Sequence, residues 1–140
     1  MLCCDAAAVP IVLNGAGQPL DVGRATRTIP DGLRRAVAAR DKGCAHPGCG
    51  RPQSWCEIHH VHEWELGGET KLSNLVSLCR VHHRQIHFME WVVRIRDGLP
   101  EFIPPRFIDM HQTPRRKALP HLVGVRVQEP PAARSRSPWP

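Results

Sequence analysis

From Gly32 to Asp41 the apolar residues Leu33, Ala36 and Val37 recur at helical spacing and Arg40 continues the stripe, with Pro30-Asp31 ahead of it and Gly43 just past its end. A proline preset to helical φ, an acid in the first turn and a terminal glycine are start and stop signals, so a helix is predicted here. Before it, Val9 to Leu13 and Leu20 to Val22 flank Asn14-Gly15-Ala16-Gly17, which predicts a short hairpin on glycine turn chemistry. Trp55 to Val61 suits a strand, and the polar, glycine-bearing Glu63 to Glu69 suits a loop. Asn74 then precedes the apolar run Leu75 to Leu78, a second strand. Arg80 to Phe88 lacks Pro and Gly, offers Val81, Ile86 and Phe88 for packing, and predicts a helix. The central order is therefore strand, long loop, strand, helix. Trp91 to Arg96 and Glu101 to Ile103, joined across Asp97-Gly98, predict a final hairpin.

Composition adds a constraint to this pattern. The chain of 140 residues suits one domain, but with 3 Phe, 4 Trp and no Tyr, and with 14 Pro and 11 Gly, something besides apolar burial is needed to hold it. Trp55 and Trp64 are assigned to the core on that ground, and Cys56 is either a core thiol or a further candidate ligand near Cys44 and Cys49. No run approaches the roughly 20 apolar residues of a membrane span. Met1 to Gly17 has no Lys or Arg and is interrupted by Asp5 and Pro10, unlike a signal peptide. The expected compartment is the cytoplasm, where the 6 cysteines serve as thiols or metal ligands.

The net charge of +6 is unevenly placed: residues before His111 carry 13 Lys and Arg against 12 Asp and Glu, whereas His111 to Pro140 carry 6 against 1. Residues 111–140, rich in Pro and Arg, are expected to be a disordered basic tail. Residues 1–42 are expected to form the N-terminal hairpin and lead-in helix, and residues 43–110 the functional unit.

The special residues cluster in that unit, since 7 of 9 His and 4 of 6 Cys fall between Cys44 and His87. Cys44-Ala-His-Pro-Gly-Cys49 has the spacing of a knuckle loop, and Cys79-Arg-Val-His82 adds two more ligands, together a closed tetrahedral set of the kind that holds structural zinc. His83 lies i, i+4 from Cys79 and would replace His82 if the helix began earlier. His83 and His87, also i, i+4, share a helix face and suit a second metal. In the strand, His59 and His60 point to opposite faces, so one can join that metal while the other stays free near a substrate.

Taken in order, Cys44 and Cys49, His59-His60-Val61, Gly67-Gly68, Asn74-Leu75 and Cys79-Arg-Val-His82-His83-Arg-Gln-Ile-His87 resemble the HNH nuclease family. Pro19-Leu-Asp-Val-Gly-Arg24, Arg40-Asp-Lys-Gly-Cys44 and Trp55-Cys-Glu-Ile-His-His60 are similar to the C-terminal part of actinobacterial HNH proteins, mycobacterial repeat elements among them, which carry a larger helical domain upstream. The resemblance implies an α+β, ββα-metal (His-Me finger) domain with a zinc knuckle, acting as an endonuclease on DNA. It implies that His60 is the general base, that Asn74 braces the loop, and that His59, His83 and His87 hold one catalytic divalent cation. Cys44, Cys49, Cys79 and His82 would hold structural Zn2+, with His82 standing where the family has Cys.

Imidazole ligands suit Mn2+, Ni2+ or Zn2+ better than Mg2+, which prefers oxygen. Arg80 and Arg84 flank the metal helix and are candidate contacts to the phosphate backbone of double-stranded DNA. His62 is a candidate phosphate contact, and Glu57, Glu63 and Glu65 are candidate partners for the histidines. No small-molecule cofactor or membrane is expected, and oligomeric state is left open. The rival readings are a zinc-stabilised nucleic-acid-binding module without catalysis, which has no need of the second histidine set, and a truncated remnant of a longer protein.

Overall fold

A computed structural model describes residues 20–118. It is an α+β arrangement of two helices and short antiparallel strands. Helix α1 (Asp31–Asp41) buries Leu33 and Val37, the two strongest apolar positions of its predicted stripe. Its end is forced by geometry: Lys42 and Gly43 have φ of 51° and 98°, and a Cβ on Gly43 would stand 2.3 Å from the Arg51 carbonyl oxygen. Only glycine lets the chain leave α1 and pass directly into Cys44, whose N–H donates to that carbonyl at 3.1 Å.

Strands β1 (Asp21–Gly23), β2 (Cys56–His60), β3 (Thr70–Lys71) and β4 (Leu75–Cys79) form two antiparallel pairs, β1 with β3 and β2 with β4. The β2–β4 register sets Cys56 opposite Cys79 and His60 opposite Leu75. Every residue of β4 is buried because it is covered on both sides. Leu75 packs with Val22, Ile29, Leu33 and Val37, whereas Val76 and Leu78 pack with Cys44, Ala45, Trp91 and Phe102. Burying each such aliphatic side chain stabilises the fold by about 1.5–3 kcal/mol. The buried Asp41 carboxylate joins α1 to β4 by accepting the Ser77 N–H at 2.9 Å and pairing with Arg40 at 2.6 Å, while Arg40 also donates to the Leu75 carbonyl at 2.5 Å. Helix α2 (Arg80–Phe88) follows β4 without a linker. Strands β5 (Val92–Arg96) and β6 (Leu99–Ile103) are joined by Asp97 and Gly98 at φ 54° and 75°, the paired left-handed conformation of a type I′ turn.

The hairpin segments Val9 to Leu13 and Asn14 to Gly17 lie outside the described residues, and the described partner of β1 is β3, far along the chain. The placement of the two tryptophans differs from expectation. Trp55 sits in a short turn before β2 and is 66% exposed, so it is not core; its indole lies on the outer side of the turn that feeds the strand. Trp64 is partly buried, with the Arg24 guanidinium 3.8 Å from its ring centroid.

The reading of residues 111–140 as a solvated tail is corrected for its first part, and residues 119–140 lie outside the described residues. Arg115 and Phe102 exchange two backbone hydrogen bonds of 2.8 Å each. Lys117 Nζ donates to the carbonyls of Asp41, Lys42 and Cys44 at 3.2, 3.1 and 2.9 Å. Carbonyls left unpaired past a helix C-terminus attract a cation, an effect that composition does not register. Lys117→Met keeps the alkyl stem and loses the ammonium, so it should lower stability by about 1–2 kcal/mol. A denaturant midpoint equal to wild type would reject this tie.

Candidate metal centres and the histidine-lined cleft

The Sγ atoms of Cys44, Cys49 and Cys79 and a ring nitrogen of His82 all lie within 4.8 Å of one another. Each is delivered by backbone structure: Cys44 by the Gly43 turn, Cys49 by a turn in which its N–H donates to the His46 carbonyl at 3.1 Å, Cys79 by the end of β4 and His82 by the first turn of α2. His82 Nδ1 stands 3.4 Å from Cys44 Sγ and 3.2 Å from Cys79 Sγ, so His82 rather than His83 belongs to this group. His46 stacks flat on His82 with ring centroids 3.8 Å apart and holds the imidazole plane.

The electrostatics suit a cation ligated by thiolates. Burial pushes the Cys44 thiol up to about 12, so the sulfur gives up its proton to solvent readily only when a metal takes its place. Burial also raises Cys79, but the His82 backbone N–H and the Arg51 guanidinium, whose Nη1 donates to Sγ at 3.3 Å, outweigh it and hold that thiol below its usual range. Burial, with the charges of His46 and Arg51, lowers His82 to about 4, so the imidazole is neutral and can offer a lone pair. Three thiols and a neutral imidazole at this separation fit a closed tetrahedral ion.

A second group forms where β2 faces α2. His83 Nε2 lies 3.0 Å from His59 Nδ1 and 3.4 Å from His87 Nε2. Strand parity turns His59 toward α2, and the i, i+4 spacing brings His83 and His87 to meet it. Burial, reinforced by His83 and His87, takes His59 down to about 4, and burial likewise lowers His83, so both are neutral at pH 7. His83 Nε2 has one proton or one lone pair to share between two neighbours, whereas a cation satisfies all three nitrogens at once. The donor set therefore fits a divalent metal with positions left for other ligands. Glu63 Oε1 lies 3.8 Å from the outward His87 Nδ1.

These histidines line a cleft of about 360 Å³ together with His60, Arg27, Glu63 and Trp64. His60 belongs to neither donor group; its Nε2 lies 3.0 Å from Thr70 Oγ1. Burial lowers its pKa and Arg27 adds to that, against an opposing contribution from Glu65. Asn74, nearly buried, lies across the loop just past His60: Oδ1 accepts the His62 N–H at 2.8 Å, and Nδ2 donates to the carbonyls of His62 at 3.0 Å and Glu69 at 2.8 Å. Gly68 belongs to the same closure, since a Cβ there would come within 1.8 Å of the His62 carbonyl oxygen. Arg24 pins the loop from outside by donating to the carbonyls of Trp64 and Gly68 at 2.6 and 2.7 Å.

Other candidates fall elsewhere. Arg80 and Arg84 are exposed and line a separate hollow beside Val81 and Phe88, while Arg27, which the motif pattern does not mark, stands at the cleft. His62 is exposed, and the partly buried Cys56 donates its thiol proton to the Pro52 carbonyl at 3.3 Å. Among the described residues no helix is long and apolar enough to cross a membrane.

Similar sequences occur in mycobacteria. An uncharacterized protein of Mycobacterium tuberculosis (strain CDC 1551 / Oshkosh) is 33% identical over 106 residues, which is 75% of this chain and 23% of that relative. Uncharacterized proteins of Mycobacterium tuberculosis (strain ATCC 25618 / H37Rv) and Mycobacterium bovis (strain ATCC BAA-935 / AF2122/97) are each 30% identical over the same length, with the same coverage of 75% and 23%. The chain thus spans about a quarter of the length of these relatives. No solved structure matches it. The family model described as HNH endonuclease matches residues 44–88, the segment that contains both candidate ligand groups.

Proposed function

We propose that this chain is a metal-dependent endonuclease that hydrolyses phosphodiester bonds of double-stranded DNA. One observation carries the reading: three histidines converge as a donor set, and the neighbouring His60 lines the same cleft without joining it. The catalytic unit is a ββα-metal domain made of β2, β4 and α2 within residues 43–110. A divalent cation held by His59, His83 and His87, whether Mn2+, Ni2+, Zn2+ or Mg2+, supplies charge stabilisation at the phosphoryl and leaving oxygens when bound. Zn2+ held by Cys44, Cys49, Cys79 and His82 is structural.

His60 is the general base that takes a proton from the attacking water. Asn74 fixes the loop that follows His60, and Arg27 offers a cation to the substrate phosphate. Arg80 and Arg84 contact the DNA backbone outside the cleft. Cysteines that serve as metal-bound thiolates suit a reducing cytoplasm.

The test is incubation of supercoiled plasmid with the protein and Mg, Mn, Ni or Zn, with EDTA as control. Nicking with at least one metal, abolished by EDTA, is expected. A protein that binds plasmid, holds one metal per chain and leaves the plasmid intact is a zinc-stabilised binding module instead.

The pH dependence follows from the base. Because burial and Arg27 hold the His60 pKa below 6.5, nicking should rise with pH through a value under 6.5 and then level off. Rates measured between about pH 5 and 8 check this, and an acid limb centred above 6.5 contradicts it.

A further inference from the structure

We propose that Thr70 is a positioning residue that fixes the tautomer and ring orientation of His60, leaving Nδ1 as the bare nitrogen that accepts the proton of water. The inference rests on the reading of His60 as the base. Thr70 opens β3, is fully buried, and lies opposite Gly23 of β1. Its hydroxyl donates to the Thr26 carbonyl at 2.7 Å. A hydroxyl has one proton and a carbonyl can only accept, so that proton is committed to Thr26.

Toward His60, 3.0 Å away, Thr70 Oγ1 therefore offers only lone pairs, and His60 Nε2 must be the donor. A neutral imidazole carries one N–H, so with Nε2 protonated Nδ1 is bare. The same bond stops the ring from turning about its Cβ–Cγ axis. A directional chain results, from His60 Nε2–H to the Thr70 hydroxyl to the Thr26 carbonyl. Thr26 lies between β1 and α1, so the segment ahead of the motif orients a group that lines the cleft. That gives the β1–β3 pairing a role in the chemistry: it carries Thr70 to the one place where both bonds form.

The experiment combines imidazole 15N spectra of the zinc-loaded chain with plasmid nicking, for wild type, Thr70→Val and Thr70→Ser. Wild-type His60 should show a single tautomer, protonated at Nε2, with that proton protected from exchange. In Thr70→Val the nitrogen shifts should move toward the mixture of a free imidazole, Nε2–H protection should be lost, and the nicking rate should fall roughly 10- to 100-fold with unchanged metal content. Thr70→Ser should restore spectrum and rate together.

A wild-type His60 protonated at Nδ1 overturns the proposal, and this outcome holds even if valine unfolds the chain. A Thr70→Val spectrum identical to wild type overturns it whatever its rate, and a mixed tautomer at the wild-type rate does so equally. Failure of the base assignment looks different: nicking persists in His60→Ala, or wild type does not nick at all, while the tautomer spectrum stays as described.

Discussion

Cys79→Ser is expected to release zinc and abolish the cooperative unfolding transition of the chain. Cys79 is 1% exposed, closes the end of β4, and is the thiol on which the Arg51 guanidinium and the His82 backbone N–H converge. A structural zinc supplies apparent binding free energy of about 10–16 kcal/mol in small zinc domains, whereas a whole domain is stable by about 5–15 kcal/mol. The knuckle also ties three segments to one point, since Cys44 follows α1, Cys79 ends β4 and His82 lies in the first turn of α2. Serine is nearly the size of cysteine but does not ligate zinc well, so packing is not the variable being changed. Zinc per chain and a thermal melt followed by circular dichroism read the outcome. Cys56→Ser is the control: Cys56 is outside the donor group and hydrogen-bonds Pro52 instead, so that variant should keep its zinc and its transition. A Cys79→Ser chain that melts like wild type would place the fold's stability in the aliphatic core alone.

The legible parts of this fold were those governed by local rules. Helix α1 announced itself through Pro30, the Leu33–Val37 spacing and Gly43, and the β5–β6 turn through Asp97-Gly98, because capping and turn conformation depend on a few adjacent residues. Strand parity was enough to separate His59 from His60. The choice between His82 and His83 was not open to the same reasoning, because both follow Cys79 at helical spacings. It turns on where α2 begins: Cys79 is extended, with φ −71° and ψ 160°, so the helix starts at Arg80 and only His82 comes back onto the cysteines.

What stayed hidden depends on contacts between distant segments. Thr70 is 44 residues from its carbonyl partner Thr26, Arg24 is 44 from Gly68, and Lys117 is 76 from Asp41. No periodicity or motif links such pairs, and a threonine or lysine in a polar stretch looks like surface. The segment ahead of the motif was readable as a helix and a strand, but its part in the cleft through Arg24, Thr26 and Arg27 emerges only once β1 pairs with β3. Trp55 failed for a related reason: a large apolar residue beside a strand was counted as core, although the turn that feeds the strand presents it to solvent.

His60→Ala should reduce metal-dependent nicking by about 10²- to 10⁴-fold, the usual contribution of a positioned general base, while leaving the metal content of the chain unchanged. The separation of these two effects is the point of the experiment. His60 lies outside both donor groups, so its removal takes no ligand from either ion, whereas His83→Ala should lose the second metal and the activity together and retain the zinc knuckle. The fold does not depend on the imidazole, because the Thr70 hydroxyl keeps its bond to Thr26 when the ring is gone and no buried donor is stranded. Equal thermal midpoints for His60→Ala and wild type would establish this. Residual nicking is expected, since charge stabilisation at the phosphate does not need the base. Wild-type nicking in His60→Ala would remove the residue from the mechanism and turn attention to Glu63, the carboxylate beside His87 in the same cleft.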